Sequence, residues 1–348
     1  MLSLRCSVAL SLRTARKSPR LIDGGLRMKT SVNFTTCDDD VARFADQADF
    51  ERFLKGFDGV ELMVLDNDAQ TLIEPRHVVG VHMSSLYTWI DLWQGNEAGL
   101  LHEFGSIEAA EAYYGGLTRA CIVDKFKADL ANAHRYDAAY VVFHASDVWS
   151  DESFTLHFHR SDEEVCEALC ELLSAVFADE NGDMALFMEN LWHPGLNFVR
   201  PEVARDLLAG VDYANKGFMF DTGHAFHTNW DIETEEQGIA YVHGMLDGLE
   251  RFGLLDAIRG VHLQQSITGE YARKTMANPP VLSYDPTERM IQDFTHAFTI
   301  GQHKPFTCSA VRGLVEHLNP DYLTFEFITE SREQLEEAIA TQRRALGW

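Results

Sequence analysis

The sequence lacks long apolar runs and ordered cysteine motifs, and both absences restrict the class of protein. No apolar stretch approaches the ~18 residues that a membrane-spanning helix requires, so we expect no membrane partner. The six cysteines show no C-x-x-C spacing, and Cys166 and Cys170 lie one helical turn apart, as is typical of core packing. Nothing in this pattern indicates an oxidising compartment, and we therefore expect a cytoplasmic location.

Positive charge and phosphate-binding loops are also scarce. The 348 residues include 29 basic and 54 acidic side chains, which gives a formal net charge of −25. Neither G-x-G-x-x-G after the first predicted strand nor G-x-x-x-x-G-K-[ST] occurs, so a nucleotide-binding open sheet would lack its phosphate loop. Because affinity for nucleic acid rests mainly on lysine and arginine that neutralise phosphates, a nucleic-acid partner is disfavoured.

The charge is unevenly distributed along the chain. Residues 1–27 hold six basic residues and one acid, which leaves 23 basic and 53 acidic residues, a net charge of −30, for residues 28–348. The opening segment is rich in Arg, Ser and Leu and resembles a transit peptide, but Met28 stands just before the first predicted strand. We expect residues 1–27 to be an N-terminal extension, disordered or upstream of the true start, and residues 28–348 to form one domain.

From Met28 onwards, short apolar segments alternate with amphipathic stretches. Continuous apolar runs are typical of strands that are buried on both faces in a parallel sheet covered by helices. The length suits one α/β barrel of about 250 residues, or two average domains. The pattern predicts an α/β fold, the (β/α)8 TIM barrel, with an open doubly wound sheet as the alternative. The predicted strands are residues 31–35, 59–63, 78–82, 140–144, 185–189, 217–221, 260–263 and 322–327.

The helical pattern is less regular than the strand pattern. Between the last two strands, Pro279, Pro280 and Pro286 interrupt the periodicity, so we expect an irregular excursion to about residue 304. Elsewhere the apolar spacing predicts helices at residues 41–57, 113–133, 163–177 and 238–252, one opened by Pro201, and one from Ser331 with Gln334 placed for a capping box.

Metal-type side chains stand at the carboxyl ends of most predicted strands. Barrel enzymes place their chemistry at that end, so these side chains should converge. Each alone is typical of an ordinary buried polar residue, but six buried carboxylates and imidazoles are costly without a partner. A divalent cation such as zinc, manganese or iron satisfies both ligand types. The six are His82, His144, Glu189, Asp221, His262 and Glu326, and His224 follows Asp221 by three residues.

The segments around these residues carry a family resemblance. They read Asp-Gly-Val-Glu-Leu at 58–62, Val-Phe-His-Ala-Ser at 142–146, Met-Glu-Asn at 188–190, Phe-Asp-Thr-Gly-His at 220–224, Val-His-Leu at 261–263 and Thr-Phe-Glu-Phe at 324–327. Together they resemble the xylose isomerase-like TIM barrel superfamily, which includes sugar isomerases and epimerases and endonuclease IV (AP endonuclease family 2). The Glu-Asn strand end and the Asp-Thr-Gly-His turn are its most specific motifs.

The resemblance implies a ligand set that depends on the branch of the superfamily. In the isomerase branch one metal is held by residues that match Glu189, Asp221, His262 and Glu326, and the two glutamates act as general base and acid. The endonuclease branch adds a second metal on His82 and His144, bridged by Glu189, and a third that involves His224 and His296. The implied cofactor is therefore zinc or manganese, one to three ions per chain.

The chain also departs from the endonuclease pattern. Phe294 stands where the third metal has an aspartate, so that site is incomplete unless Asp293 substitutes. Ile267 replaces a phosphate-facing lysine, and Met-Ser-Ser-Leu follows His82 where the endonucleases carry a tyrosine. The residues of the metal ring therefore match the endonuclease pattern, whereas the loops that contact DNA in the endonucleases do not.

Two classes of function follow from the sequence. The first hypothesis is an isomerase or epimerase of a sugar-like hydroxy-carbonyl substrate, acting through a metal-stabilised enediolate, with Trp89 and Trp192 offering faces to the substrate. The alternative is a multi-zinc phosphodiesterase of the endonuclease IV type. A barrel that only binds a metabolite is the third and weakest hypothesis. We expect a small-molecule substrate and leave a homo-oligomer open.

Overall fold

The computed structural model describes residues 28–65 and 70–348. At its centre, eight parallel strands close into a barrel in sequential order, which confirms the predicted fold class. The predicted extension, residues 1–27, lies outside the described residues. The strands are β1 Lys29–Thr35, β2 Gly59–Met63, β3 Val78–His82, β4 Tyr140–His144, β5 Ala185–Glu189, β6 Lys216–Asp221, β7 Ile258–Leu263 and β8 Tyr322–Phe325.

Helices surround the barrel and fill the loops at its carboxyl end. They are α1 Asp38–Val41, α2 Gln47–Phe53, α3 Ile90–Gln94, α4 Glu97–Phe104, α5 Ile107–Tyr114, α6 Arg119–Arg135, α7 Ser150–Thr155, α8 Asp162–Val176, α9 Pro201–Gly210, α10 Thr222–Phe226, α11 Glu235–Arg251, α12 Gly269–Ala277, α13 Pro286–Ile300, α14 Val311–Leu318 and α15 Arg332–Leu346. Within residues 28–65 and 70–348, no helix is both long enough and apolar enough to cross a membrane.

Four helix predictions need correction, and the first is the helix predicted at 113–133, which is divided between α5 and α6. The single helix predicted at 41–57 is two short helices, α1 and α2. The excursion between β7 and β8 is not irregular, because it contains α12 and α13. Pro286 opens α13 at a position where no main-chain donor is needed, and Asp285 caps that helix. At α15, Ser331 accepts from the Gln334 N–H, but the Gln334 side chain accepts from Glu330 N–H instead of returning to the cap.

Large side chains pack the inside of the barrel below the strand ends. Tyr140, Phe187 and Met219 are fully buried there. Gly80 leaves space for the Tyr140 ring, since a Cβ at that glycine would lie 2.2 Å from a ring carbon. The Tyr140 hydroxyl donates to Glu61 Oε2 at 2.7 Å, so this packed layer supports a carboxylate just beneath the mouth.

The strand register aligns the polar residues at that mouth. His144 of β4 is the register partner of Glu189 of β5, and Asp221 of β6 is the partner of His262 of β7. His82 ends β3 opposite Met63 of β2. Since parallel strands all point the same way, these residues share one end of the barrel. The register therefore produces the convergence that the sequence predicts.

Candidate metal centre

The six strand-end residues form three overlapping donor groups, of which two contain Glu189 and the third consists of His82, His262 and Glu326. His82, His144 and Glu189 make the first, whose ligand atoms all lie within 4.8 Å of one another. The second consists of Glu189, Asp221, His262 and Glu326, with ligand atoms within the same limit. Glu189, Asp221 and His262 are fully buried, so the groups are well shielded from solvent. Either group has the number and type of ligands that zinc or manganese takes in proteins.

Glu189 joins the two groups through its two carboxylate oxygens. Its Oε2 lies 3.1 Å from His82 Nε2 and 3.3 Å from His144 Nε2. Its Oε1 lies 3.1 Å from His262 Nδ1 on the other side. A carboxylate with one oxygen directed at each group has the geometry of a bridging ligand.

The histidines are oriented by bonds from their remaining ring nitrogens. His82 Nδ1 donates to the carbonyl oxygen of Met83 at 2.8 Å, which directs its Nε2 towards Glu189 Oε2. His262 Nε2 lies 2.7 Å from Glu61 Oε1, which directs its Nδ1 towards Glu189 Oε1. Such outer bonds are typical of histidines that bind metals. The sequence interpretation missed the role of Glu61, although it lies in the quoted segment 58–62.

Two buried oxygens in the second group have no hydrogen-bond partner. Asp221 Oδ1 accepts from the His224 main-chain N–H at 2.5 Å and from the Gln264 amide at 2.8 Å, whereas its Oδ2 is unpaired. Glu326 Oε2 is unpaired as well. An unpaired buried carboxylate oxygen is costly. A divalent cation among these oxygens would remove that cost, so the residues present fit a metal.

The buried carboxylates have pKa values displaced in opposite directions. Burial alone would raise the pKa of Glu189, but the charges of His262 and His144 outweigh it and hold that pKa well below its ordinary value. Burial raises the pKa of Glu326 well above its ordinary value, and the negative charges of Asp221 and Glu189 add to the effect. The histidine charges therefore favour the ionised form of Glu189, whereas burial disfavours the ionised form of Glu326.

The predicted third metal group does not assemble. His224 does reach the mouth, where its Nδ1 lies 3.0 Å from the Asn190 carbonyl and 3.3 Å from Glu189 Oε1. His296 does not, because its Nδ1 accepts from the Tyr271 hydroxyl at 2.8 Å and its Nε2 donates to the Ser153 carbonyl at 3.0 Å. Both of its nitrogens are thus occupied, and the structure does not bring His296 into the cluster.

The substitution considered at the third group also fails. Asp293 accepts from the Ser150 hydroxyl at 3.2 Å, away from the metal-type cluster. Phe294 is 49% exposed on the outer side of α13. A histidine that the sequence interpretation overlooked, His303, instead lies beside the site, with Nδ1 3.5 Å from Glu326 Oε2. His303 lies in the loop that follows α13, so it does not stand at the end of a strand and the sequence pattern could not predict its position.

The two tryptophans proposed as substrate contacts lie in different environments, one in the core and one beside the site. Trp89 is only 1% exposed and its indole N–H donates to the Ser146 carbonyl at 3.0 Å, so it packs in the core and offers no face to a substrate. Trp192 lies next to the site, with its ring 5.3 Å from that of His224 and its Nε1 unpaired. His193 packs on it, and burial lowers the pKa of His193 to about 3, so this imidazole is neutral. Substrate contact by Trp192 stays a prediction.

The structure is a closed α/β barrel, and imidazoles and carboxylates form a ring at the carboxyl end of its strands. This combination of fold and site is typical of a class of barrel enzymes. The chain belongs to the xylose isomerase-like TIM barrel family, whose profile matches residues 55–346. This match confirms the resemblance drawn from the strand-end motifs. No curated protein matches the sequence.

Solved structures with a similar fold belong to proteins with different descriptions. The structure described as AsfvAP:AG is 13% identical, aligned over 93% of this chain and 99% of that one, with a TM-score of 0.51. A zinc-bound IOLI protein is 14% identical over 91% and 96% of the two chains, with a TM-score of 0.47. The 3-keto-D-glucoside 4-epimerase YcjR from E. coli is 13% identical over 92% and 98%, with a TM-score of 0.43. At these identities the likeness concerns the fold.

Proposed function

We propose that the protein is a metal-dependent isomerase or epimerase of a small hydroxy-carbonyl compound. The observation that carries the proposal is the buried group of Glu189, Asp221, His262 and Glu326, with two unpaired carboxylate oxygens. These four residues would hold the metal. A bound divalent cation would supply Lewis acidity to adjacent substrate oxygens and so acidify the C–H bond between them.

The two glutamates would move the proton. Glu189 comes from β5 and Glu326 follows β8, so they approach the site from well-separated strands of the barrel. Glu189 would accept a proton from substrate carbon and Glu326 would return one, since the surroundings favour the ionised form of Glu189 and disfavour that of Glu326. A pair of carboxyl groups with divergent pKa values is the usual arrangement for a base and an acid in one site.

An uncharged substrate suits this site better than a phosphorylated one. The ion-pair partners described for Glu189, Asp221 and Glu326 are all histidines. Phosphate groups are usually held by arginine or lysine, and Ile267 stands where the endonuclease branch has a lysine. We therefore propose a neutral polyhydroxylated ketone or aldehyde. The cytoplasmic location stays a prediction of the cysteine pattern alone.

Proton exchange with solvent tests the proposal whichever product the enzyme forms. Zinc- or manganese-loaded protein would be incubated in D2O with a panel of neutral ketoses and keto-cyclitols, and deuterium incorporation followed by NMR. We expect incorporation next to the carbonyl of at least one compound, and loss of more than 100-fold in rate for Glu189→Gln. Absence of exchange across the panel, with metal bound, would contradict the isomerase proposal.

A second candidate function is a phosphodiesterase. The group of His82, His144 and Glu189 favours it, since two metals that share a carboxylate can bind both the attacking and the leaving oxygen. Hydrolysis of bis(p-nitrophenyl) phosphate by the metal-loaded protein, abolished in His144→Ala, would support this function. The isomerase proposal requires the second group and not His144. His144→Ala should therefore abolish phosphodiester hydrolysis if the protein is a phosphodiesterase, but should retain proton exchange if it is an isomerase.

A further inference from the structure

The outer side of α13 carries exposed apolar residues. Met290, Ile291, Phe294 and Phe298 are 49–58% exposed, and Val281 of the preceding segment is 93% exposed. The Gln292 amide donates to the Val281 carbonyl at 3.1 Å, which holds that segment against the helix. Ile291, Phe294 and Phe298 follow a three-then-four spacing that places them on one helix face. We call these five apolar residues the α13 patch.

The opposite side of the same helix is firmly anchored. His296 stacks on Phe154 with ring centroids 4.0 Å apart and is bonded at both nitrogens. Asp293 accepts from Ser150, and the Arg289 guanidinium donates to the Glu103 carbonyl at 3.1 Å. Apart from the buried Ile300 at its C-terminal end, α13 therefore turns polar residues towards the protein and large apolar residues outwards. This inversion of the usual amphipathic arrangement is expected of a helix with a further partner.

The size of the patch fits a protein interface. From the exposed fractions and ordinary side-chain areas, the five residues present on the order of 600 Å² of apolar surface. The largest apolar patch of a typical monomer is about 300–600 Å². One side of a standard protein–protein interface buries about 800 Å². The patch alone therefore approaches the area of one side of a standard interface.

The charge of the protein indicates which partner would fit. A second copy also carries a net charge of −25 and is repelled wherever acidic surfaces meet. Between Met290 and Phe298 the only ionisable residues are Asp293 and His296, and both are bonded on the anchored side. A basic partner would be drawn to the acidic surface elsewhere, whereas a copy of this chain can approach closely only at an uncharged face.

We propose that two copies of the chain associate through the α13 patch in a symmetric dimer. Phe294 lies midway between Met290 and Phe298 along the helix, so two antiparallel α13 helices would place the Phe294 rings near the twofold axis. Met290 of one copy would then meet Phe298 of the other in both directions, as an isologous interface requires.

Dimer formation would also restrict the motion of the loop that follows α13 and carries His303 beside the metal centre. The helix α13 ends at Ile300, and three residues later His303 lies beside Glu326. The segment after the helix is tied to the loop of β7 by paired main-chain bonds between Gln265 and Lys304, at 2.8 and 2.9 Å. A helix fixed on both sides restricts the motion of this loop more than a helix fixed on one. The proposal about the interface does not depend on the reaction that the site performs.

Sedimentation velocity of the full chain tests the proposal. We expect the unmodified protein to be dimeric at about 100 µM and to dissociate on dilution. Phe294→Asp should weaken the dimer at least 100-fold, since it would place two like charges near the axis. Val199→Asp is the matched control, because Val199 is 52% exposed on another face beside α9, and it should leave association unchanged.

Ile291→Asp is an independent second variant, and circular dichroism melts would verify that each variant is folded. A monomer at about 100 µM for the unmodified chain would overturn the proposal. A dimer that persists in folded Phe294→Asp and Ile291→Asp would overturn it as well, because association would then use another surface.

Discussion

At the residue scale, Glu61 determines the orientation of His262. Its Oε1 accepts from His262 Nε2, and its Oε2 accepts from the Tyr140 hydroxyl and, at 3.1 Å, from the Thr324 hydroxyl. Replacing Glu61 by Gln keeps the shape but removes the charge that supports the imidazole. We expect metal affinity to fall roughly 10–100-fold, as for other outer bonds to a ligating histidine. A chelator competition titration measures this fall.

The matched control for that substitution is Glu103→Gln. Glu103 is also a buried carboxylate, but it accepts from Ser150 outside the metal-type cluster. Its replacement should leave metal affinity unchanged. Equal affinity in Glu61→Gln and the unmodified protein would show that Glu61 serves packing alone.

Asp293 gives a prediction about pH. Burial raises its pKa to about 6 from an ordinary value of 3.8, so the folded chain binds this proton more tightly than the unfolded chain does. The stability associated with the proton is fully present below about pH 4 and is lost as the pH rises through 6. Asp293→Asn removes the cost of charging the group, so it should stabilise the protein above pH 6 and not below pH 4.

Urea unfolding at about pH 5.5, 6.5 and 8 would show this difference. Because the side chain is partly exposed, solvent screening limits the gain at pH 8 to about 1 kcal/mol. A constant difference between the variant and the unmodified protein across the three pH values would contradict the assignment.

At the scale of elements, the close approach of β3 and β4 inside the barrel depends on Gly80. A methyl group there would overlap the Tyr140 ring, which is fully buried and bonded to Glu61. We expect Gly80→Ala to cost about 3 kcal/mol in the free energy of unfolding. Gly244→Ala in α11 is the control, since open space surrounds that position and the change should stabilise the helix by up to ~1 kcal/mol. Thermal unfolding of both variants measures the contrast, and equal effects would refute it.

The elements also show what a sequence can and cannot predict. The bounds of β3, β4 and β5 were predictable because each short apolar run ends at a histidine or a carboxylate. The helix α13 was not, because its outward side is apolar, its inward side is polar and Pro286 indicates a break. His303 and His296 could not be assigned for a related reason. Their positions depend on how α13 packs, and no periodic pattern encodes that packing.

At the scale of the whole molecule, the acidic charge argues against DNA as a substrate. The chain carries a net charge of −25, and counterion release by lysine and arginine supplies most affinity for duplex DNA. We expect no incision of an abasic duplex by zinc- or manganese-loaded protein at low or moderate salt. Robust cleavage that His144→Ala abolishes would overturn the small-molecule proposal and favour the phosphodiesterase.

The metal content of purified protein tests the central claim most directly. Elemental analysis by mass spectrometry would compare the unmodified chain with Glu189→Gln, His144→Ala and His296→Ala, after loading with zinc or manganese and removal of the excess. We expect at least one ion per chain in the unmodified protein and in His144→Ala, and an unchanged content in His296→Ala. Glu189→Gln should lose its metal while it remains folded, because Glu189 belongs to two of the three donor groups at the mouth, including the one with four ligands. Full metal content in folded Glu189→Gln would contradict a metal centre at the mouth of this barrel.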